Sequence, residues 1–361
     1  MQADGSVEKP LRGLKVIEFG AIGPGPLAGR MLSELGADVT VISRPTTSPV
    51  DRALIGENAE NPLRLGKKVI TLDLKAEDGV IAALDLIADA DVLIEGNRPG
   101  VMERLRLGPA ECAVRNPRLV YGRMTGWGQS GPLAQAAGHD LNYIALTGLL
   151  SLSARSGTTP IVPPTVLGDA AGALGLCFGL VSAVLDARST GRGRVVDAAI
   201  VDVVAMLGTI VQAIRANGQI DGAQPSAFYD SPFYDTYVCA DGRFITIGAL
   251  EPQFYALLLK KLQLDDVDPA AQYDRDRWPT LKARLSQLFA SYPSHHWCRL
   301  LEGSDVCFGP VLTIEEAVDH PHNKARGLYQ KTISGLVQPR GAPRFLPLSA
   351  VIGVIEERFI M

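Results

Sequence analysis

Apolar residues in the first half of the chain follow two rhythms. Leu14–Phe19 (LKVIEF), Asp38–Ile42 (DVTVI), Asp91–Glu95 (DVLIE) and Leu119–Met124 (LVYGRM) are short runs that read as buried strands. Between them the spacing turns helical. Pro24–Gly36 carries Leu27, Met31, Leu32 and Leu35 on one side, and Glu77–Ala88 is a second helix. Strand alternating with helix predicts a parallel sheet with helices on both faces. A long helix is expected from about Asp169 to Arg188, broken by Arg188–Gly193 (RSTGRG). Val195–Ala198 follows as a brief strand, and Val203, Leu207, Ile210 and Ile214 then repeat at helical spacing.

The pattern changes after Ala216–Ser226, a Gly-rich polar stretch that reads as a linker. Tyr234–Cys239 and Phe244–Ile247 alternate around Ala-Asp-Gly-Arg, a hairpin signature. Helical patterns follow at 252–263, 279–291 and 294–302. The expected organisation is a large α/β domain over 1–215, a linker over 216–227 and a small α+β domain over 228–326. The last segment, 327–361, is expected to return to the large domain.

Bulk properties narrow the function classes. The formal charge of -4 lacks the basic excess of a nucleic-acid binder. Cys112, Cys177, Cys239, Cys298 and Cys307 form no CxxC pair. An odd, scattered set argues against a disulfide framework and for reduced thiols in a cytoplasmic setting. Met1–Pro10 is polar, without an apolar signal core. Ala170–Leu185 runs sixteen residues without a charge, short of the roughly 20 that cross a bilayer. Flanked by Asp169 and Asp186 and rich in Gly and Ala, it reads as a buried helix, so no membrane span is expected.

Phe19–Gly29 (FGAIGPGPLAG) lies between a strand and a helix and imitates a dinucleotide-binding turn. Pro24 and Pro26 interrupt its glycines and remove N–H groups a pyrophosphate would need. The second strand ends at Ser43-Arg44 instead of an acid, which disfavours NAD. Arg44 at a strand end suits a phosphate. Of the histidines, His295, His296, His320 and His322 lack metal-ligand spacing, and no metal is expected. His139 sits in AAGHDLNY after a Gly-rich loop that follows a strand, where α/β sheets gather ligands. On pattern alone, a loop histidine is more often structural than catalytic. Asp169 opens the long helix. It is a favoured N-cap residue, yet a helix start also offers N–H groups to a developing oxyanion. Glu251 precedes a helix with Pro252 in its first turn, and a surface dipole partner is its plainest role.

The segments GLKVIEFGAIGPGPLAGRMLSELGADV, GNRPGVMERLRLGP, RMTGWGQSGPLAQAAGHDLNY, VVDAAIVD and GALEPQFY, in that order, carry a specific resemblance. Over roughly residues 10 to 350 the chain is similar to the α-methylacyl-CoA racemases, which belong with the family III CoA-transferases. The resemblance implies that His139 and Asp169 are acid–base groups and that Glu251 partners the aspartate. It implies CoA contacts at Arg44, Leu72, Asp73, Leu74, Lys75, Gly96, Asn97, Arg98 and Arg104. Further contacts fall on the loop at Gly138, Asp140, Leu141, Asn142 and Tyr143. It also implies an interlocked homodimer, each active site lying between the large domain of one chain and the small domain of the other.

The implied reaction inverts the α-carbon of a 2-methylacyl-CoA thioester. Removing its weakly acidic α-hydrogen needs a positioned base and support for the enolate oxygen, and inversion needs a proton source on the opposite face. His139 and Asp169 would serve opposite faces. Glu251 near Asp169 would raise the pair's affinity for a proton, and backbone N–H groups at the start of the Asp169 helix would support the enolate. No cofactor is expected, CoA being part of the substrate. The alternative is a CoA-transferase on the same scaffold with Asp169 as nucleophile, which leaves His139 without a necessary task. A catalytically silent CoA-binding protein is a third reading, which the full His139, Asp169 and Glu251 set disfavours.

Overall fold

A computed structural model of the chain describes residues 8–46, 61–154, 158–164, 167–220, 225–332 and 335–348. Six strands form one parallel sheet: β1 (Lys15–Phe19), β2 (Asp38–Ser43), β3 (Lys68–Thr71), β4 (Val92–Glu95), β5 (Val120–Thr125) and β6 (Arg194–Ala199). Their order across the sheet is β3-β2-β1-β4-β5-β6. The helices of this region are α1 (Pro24–Glu34), α2 (Glu77–Ala88), α3 (Val101–Arg104), α4 (Pro109–Arg115), α5 (Asp140–Leu146), α6 (Asp169–Thr190) and α7 (Ile200–Leu207).

Strand alternation divides the core into two layers. Val16, Val39, Val92 and Val120 pack against α1 and α6 on one face. Ile17, Phe19, Ile42, Leu93 and Tyr121 meet α2 and α4 on the other. Strand β4 is buried at every position, which is why Val92–Ile94 reads as a continuous apolar run ahead of the buried Glu95. Strand β3 leaves no such trace in the sequence. It is a four-residue edge strand, exposed at three positions, and its Val69-Ile70 pair is too short an apolar run to mark a buried strand.

Among the described residues, α6 is the one helix long and apolar enough to cross a membrane by length and composition. Its inner face is core: Leu176 and Leu180 are 0% and 1% exposed and lie against Gly122 of β5. Burying each such leucine contributes about 1.5–3 kcal/mol.

The chain divides into two compact units among the described residues. The first combines Met1–Ser151, Ile161–Leu207 and Lys331–Met361 and holds the sheet. The second combines Leu152–Pro160 and Gly208–Gln330. Helix α8 (Thr209–Ala216) is therefore part of the second unit. There, β7 (Tyr234–Val238) and β8 (Phe244–Gly248) form an antiparallel hairpin with Val238 opposite Phe244, and β9 (Phe308–Pro310) pairs antiparallel with β8. Helices α9 (Pro252–Lys261), α10 (Trp278–Phe289) and α11 (Ser294–Leu301) enclose a core of Phe233, Tyr237, Trp278, Phe289 and Trp297.

Candidate active site

The first unit contains a cavity of about 1030 Å³. The order of the sheet explains its position. The chain winds outward from β1 through β2 to β3, then returns to place β4 on the other side of β1. Loops leaving β1 and β4 diverge at that reversal and leave a crevice beyond the carboxyl ends of the strands. Ile22–Gly25 after β1, Gly96–Pro99 after β4 and Thr125–Trp127 at the end of β5 line it. Gly138–Leu141, Tyr143 and Asp169 complete the wall that carries titratable groups.

His139 and Asp169 both face this one cavity. His139 is the exposed N-cap residue of α5, with extended backbone at φ -134°. Its N–H donates to Asn142 Oδ1 at 3.0 Å, and the Asn142 N–H returns a bond to the His139 carbonyl at 2.8 Å. The backbone beneath the imidazole is thereby held from both directions. Asp169 is half-buried and is the first residue of α6, with Gly168 as the N-cap. Capping is therefore not what the Asp169 carboxylate does.

Asp140 connects the two. It is 7% exposed, and its Oδ1 accepts from the N–H groups of Gly168 at 2.8 Å and Asp169 at 2.7 Å. The carboxylate that caps α6 thus comes from the neighbour of His139 in the chain. Of the backbone donors at the start of α6, those of Gly168 and Asp169 are taken by this cap. By helix geometry, the N–H groups of Ala170 and Ala171 have no partner within the helix. The Asp169 carboxyl is pushed up to about 6, first by burial and then by the charge of Asp140, with His139 acting in the opposite sense. A carboxyl group in that range can both donate and accept a proton near neutral pH.

The surrounding backbone is shaped for this group. Gly23 adopts φ +78°, and a Cβ there would stand 3.1 Å from Asp169 Oδ2. The tight turn after β1, which imitates a dinucleotide site in sequence, therefore brings bare backbone against the carboxylate. Tyr143 packs against Gly126, where a Cβ would strike its ring, and meets Trp127 edge-on at 4.7 Å and 87°. Its hydroxyl donates to the Gly138 carbonyl. Burial raises the Tyr143 hydroxyl, and the Asp169 charge raises it further.

The sequence profile of CoA-transferase family III matches residues 11–349. The chain belongs to CoA-transferase family III. Alpha-methylacyl-CoA racemase of Mus musculus is 40% identical over 336 residues, covering 92% of this chain and 86% of that protein. Its Homo sapiens counterpart is 39% identical over 360 residues, covering 97% and 90%. Among solved structures, Rv3272 from M. tuberculosis aligns with TM-score 0.77 and 28% identity over 94% of this chain and 93% of that one. A CAIB/BAIF family protein from Brucella suis aligns with TM-score 0.78 and 25% identity over 98% and 100%.

Within this family member, the expected CoA contacts fall into two groups. Gly96, Asn97, Arg98, Gly138, Asp140, Leu141 and Tyr143 line the cavity. Arg44, Leu72–Lys75, Arg104 and Asn142 do not. Leu72 and Leu74 pack on the core layer beneath α2, and Asp73 Oδ1 accepts from the Lys75 N–H at 3.0 Å. Arg44 reaches Asn97 Oδ1 in a long 3.4 Å contact. Arg44, Arg98 and Arg104 are all exposed. Glu251 lies in the second unit as the exposed N-cap residue of α9, with no side-chain capping bond. Among the described residues, no group of three or more His, Cys, Asp or Glu converges to hold a metal ion. Sequence reasoning did not single out Gly23 or Trp127. Gly23 was visible only as one glycine of the misleading turn, because its partner Asp169 lies far along the chain.

Proposed function

We propose that this protein inverts the α-carbon of 2-methylacyl-CoA thioesters by moving a proton off one face and onto the other. The observation that carries this reading is a single cavity lined by an accessible imidazole and a carboxyl group raised to about 6. In one direction His139 takes the α-proton, and the C–H electrons pass into the enolate. Asp169 then delivers its proton to the opposite face. In the other direction the roles exchange. Reversal requires each group to be found in either protonation state, and a carboxyl raised to about 6 meets that need on the Asp169 side. The reaction uses these side chains and the ester's own carbonyl, with Ala170 and Ala171 as the available backbone donors for the enolate oxygen. The exposed Arg44, Arg98 and Arg104 offer fixed cations for the phosphates of CoA. The identity to named racemases over most of the chain supports the same substrate class.

We also propose that the protein works as a homodimer. Leu174, Phe178 and Leu185 lie along one face of α6 and are 53%, 76% and 64% exposed. An apolar stripe of that kind suits burial against a second copy.

The test is incorporation of solvent deuterium at the α-carbon of a 2-methylacyl-CoA ester, with no acceptor acid present. We expect exchange with either enantiomer, and inversion lost in His139→Ala and in Asp169→Asn while CoA-ester binding persists. A strict requirement for an acceptor carboxylate would identify a CoA-transferase instead. Inversion of configuration surviving in His139→Ala would overturn the two-base assignment.

A further inference from the structure

We infer that Arg123, which does not line the cavity, is a positioning residue. It holds the loop after β4 in the shape that receives CoA and so sets affinity for the CoA moiety. The inference rests on the CoA-ester reading above. Glu95 ends β4 and is 0% exposed. Its Oε1 accepts from Arg123 Nε at 3.0 Å, and its Oε2 accepts from the Asn97 N–H at 2.7 Å. The same guanidinium grips Glu103 of α3 through Nη1 at 2.8 Å and Nη2 at 3.3 Å. One side chain from β5 therefore clasps the strand before the loop and the helix after it. Between those points lie Gly96, Asn97, Arg98 and Pro99, all of which line the cavity.

The clasp reaches the expected phosphate contacts through Asn97. The Asn97 Nδ2 group approaches Met102 Sδ at 3.3 Å, and its Oδ1 meets Arg44. Arg98 is the next residue in the held backbone. Stability alone is a poor reason for this arrangement. Burial raises the Glu95 carboxyl, against the opposing Asn97 N–H and Arg123. Apolar residues of similar size would avoid that desolvation. What the ions supply is direction, since a planar fork fixes both glutamates where a point charge would not.

The experiment measures CoA and 2-methylacyl-CoA binding by calorimetry, with kcat and KM for α-deuterium exchange, in Arg123→Met, Arg123→Lys and Glu103→Gln. For Arg123→Met the expected Kd and KM rise about tenfold while kcat stays within about twofold, the signature of lost binding that is uniform along the reaction. Arg123→Lys should recover part of the affinity, and Glu103→Gln should show a smaller rise. A destabilised protein with unchanged ligand affinity would mark a merely structural role. Arg123→Met and Glu103→Gln proteins binding CoA as tightly as wild type would overturn the inference. Should Arg123→Met fail to fold, wild-type affinity in Glu103→Gln, whose carboxylate is 42% exposed, overturns it alone. Wild-type protein that binds no CoA would instead remove the reading beneath it, and this inference with it.

Discussion

Asp140 offers the sharpest test of how the site sets its acidity. Asp140→Asn keeps an oxygen that can accept from the Gly168 and Asp169 N–H groups, so the cap on α6 survives, but it removes a negative charge beside Asp169. The Asp169 carboxyl stands at about 6 because of burial first and Asp140 second. Taking away the second cause leaves the first, so the group falls without returning to its ordinary value. A unit charge across a half-wet site interacts by on the order of 1 kcal/mol, or about 0.7 of a pH unit. For the enantiomer deprotonated by Asp169, kcat/KM rises with pH as the carboxyl ionises, and that acidic limb should move down by about this amount. Deuterium exchange followed from pH 4.5 to 8 in both proteins reads the shift, and a carboxyl infrared titration reads it without turnover. A limb that stays in place in Asp140→Asn, with folding intact, would refute the claim that Asp140 tunes Asp169. The expectation that Glu251 raises Asp169 leads to the opposite pattern: Glu251→Gln would move the limb and Asp140→Asn would not.

Three further outcomes follow from the packing. Gly23→Ala places a Cβ 3.1 Å from Asp169 Oδ2 on backbone at φ +78°. Its exchange rate should fall about tenfold, with a stability loss of about 1 kcal/mol in urea melts. An unchanged rate would remove Gly23 from the site. Lys67 and Glu18 form a buried pair at 2.6 Å with side chains 0% and 2% exposed, so Lys67→Met should cost about 3–5 kcal/mol. Burial holds Glu18 at about 7 even against Lys67, and without the lysine it rises further. The folded state then holds a proton that the unfolded chain releases near 4.5, so the variant should lose stability as pH rises above that value. A melting difference from wild type that is the same at pH 5 and pH 8 would contradict this. Phe178→Glu puts a charge on the exposed stripe of α6 and should yield monomers in sedimentation equilibrium, whereas an intact dimer would place the interface elsewhere.

Local rhythm alone determined much of this protein. Buried strands such as β4 are continuous apolar runs, and the Tyr234–Val238 hairpin announces itself by alternation, because local geometry dictates which residues meet water. His139 and Asp169 were legible as candidates because a Gly-rich loop and a helix start are local features, while their roles came from ordered segments resembling a family. Edge strand β3 stayed hidden because its apolar run is only Val69-Ile70, an edge strand having no second buried face to fill. The assembly of the site was a tertiary decision. Nothing local says that Asp140 will cap α6, that Gly23 will bare its backbone to Asp169, or that Arg123 will clasp Glu95 and Glu103. Those pairings depend on the strand order, which sets β1 beside β4 and brings distant stretches of chain to one crevice. A residue's acidity is set by its neighbours in space, and spacing along the chain does not encode them.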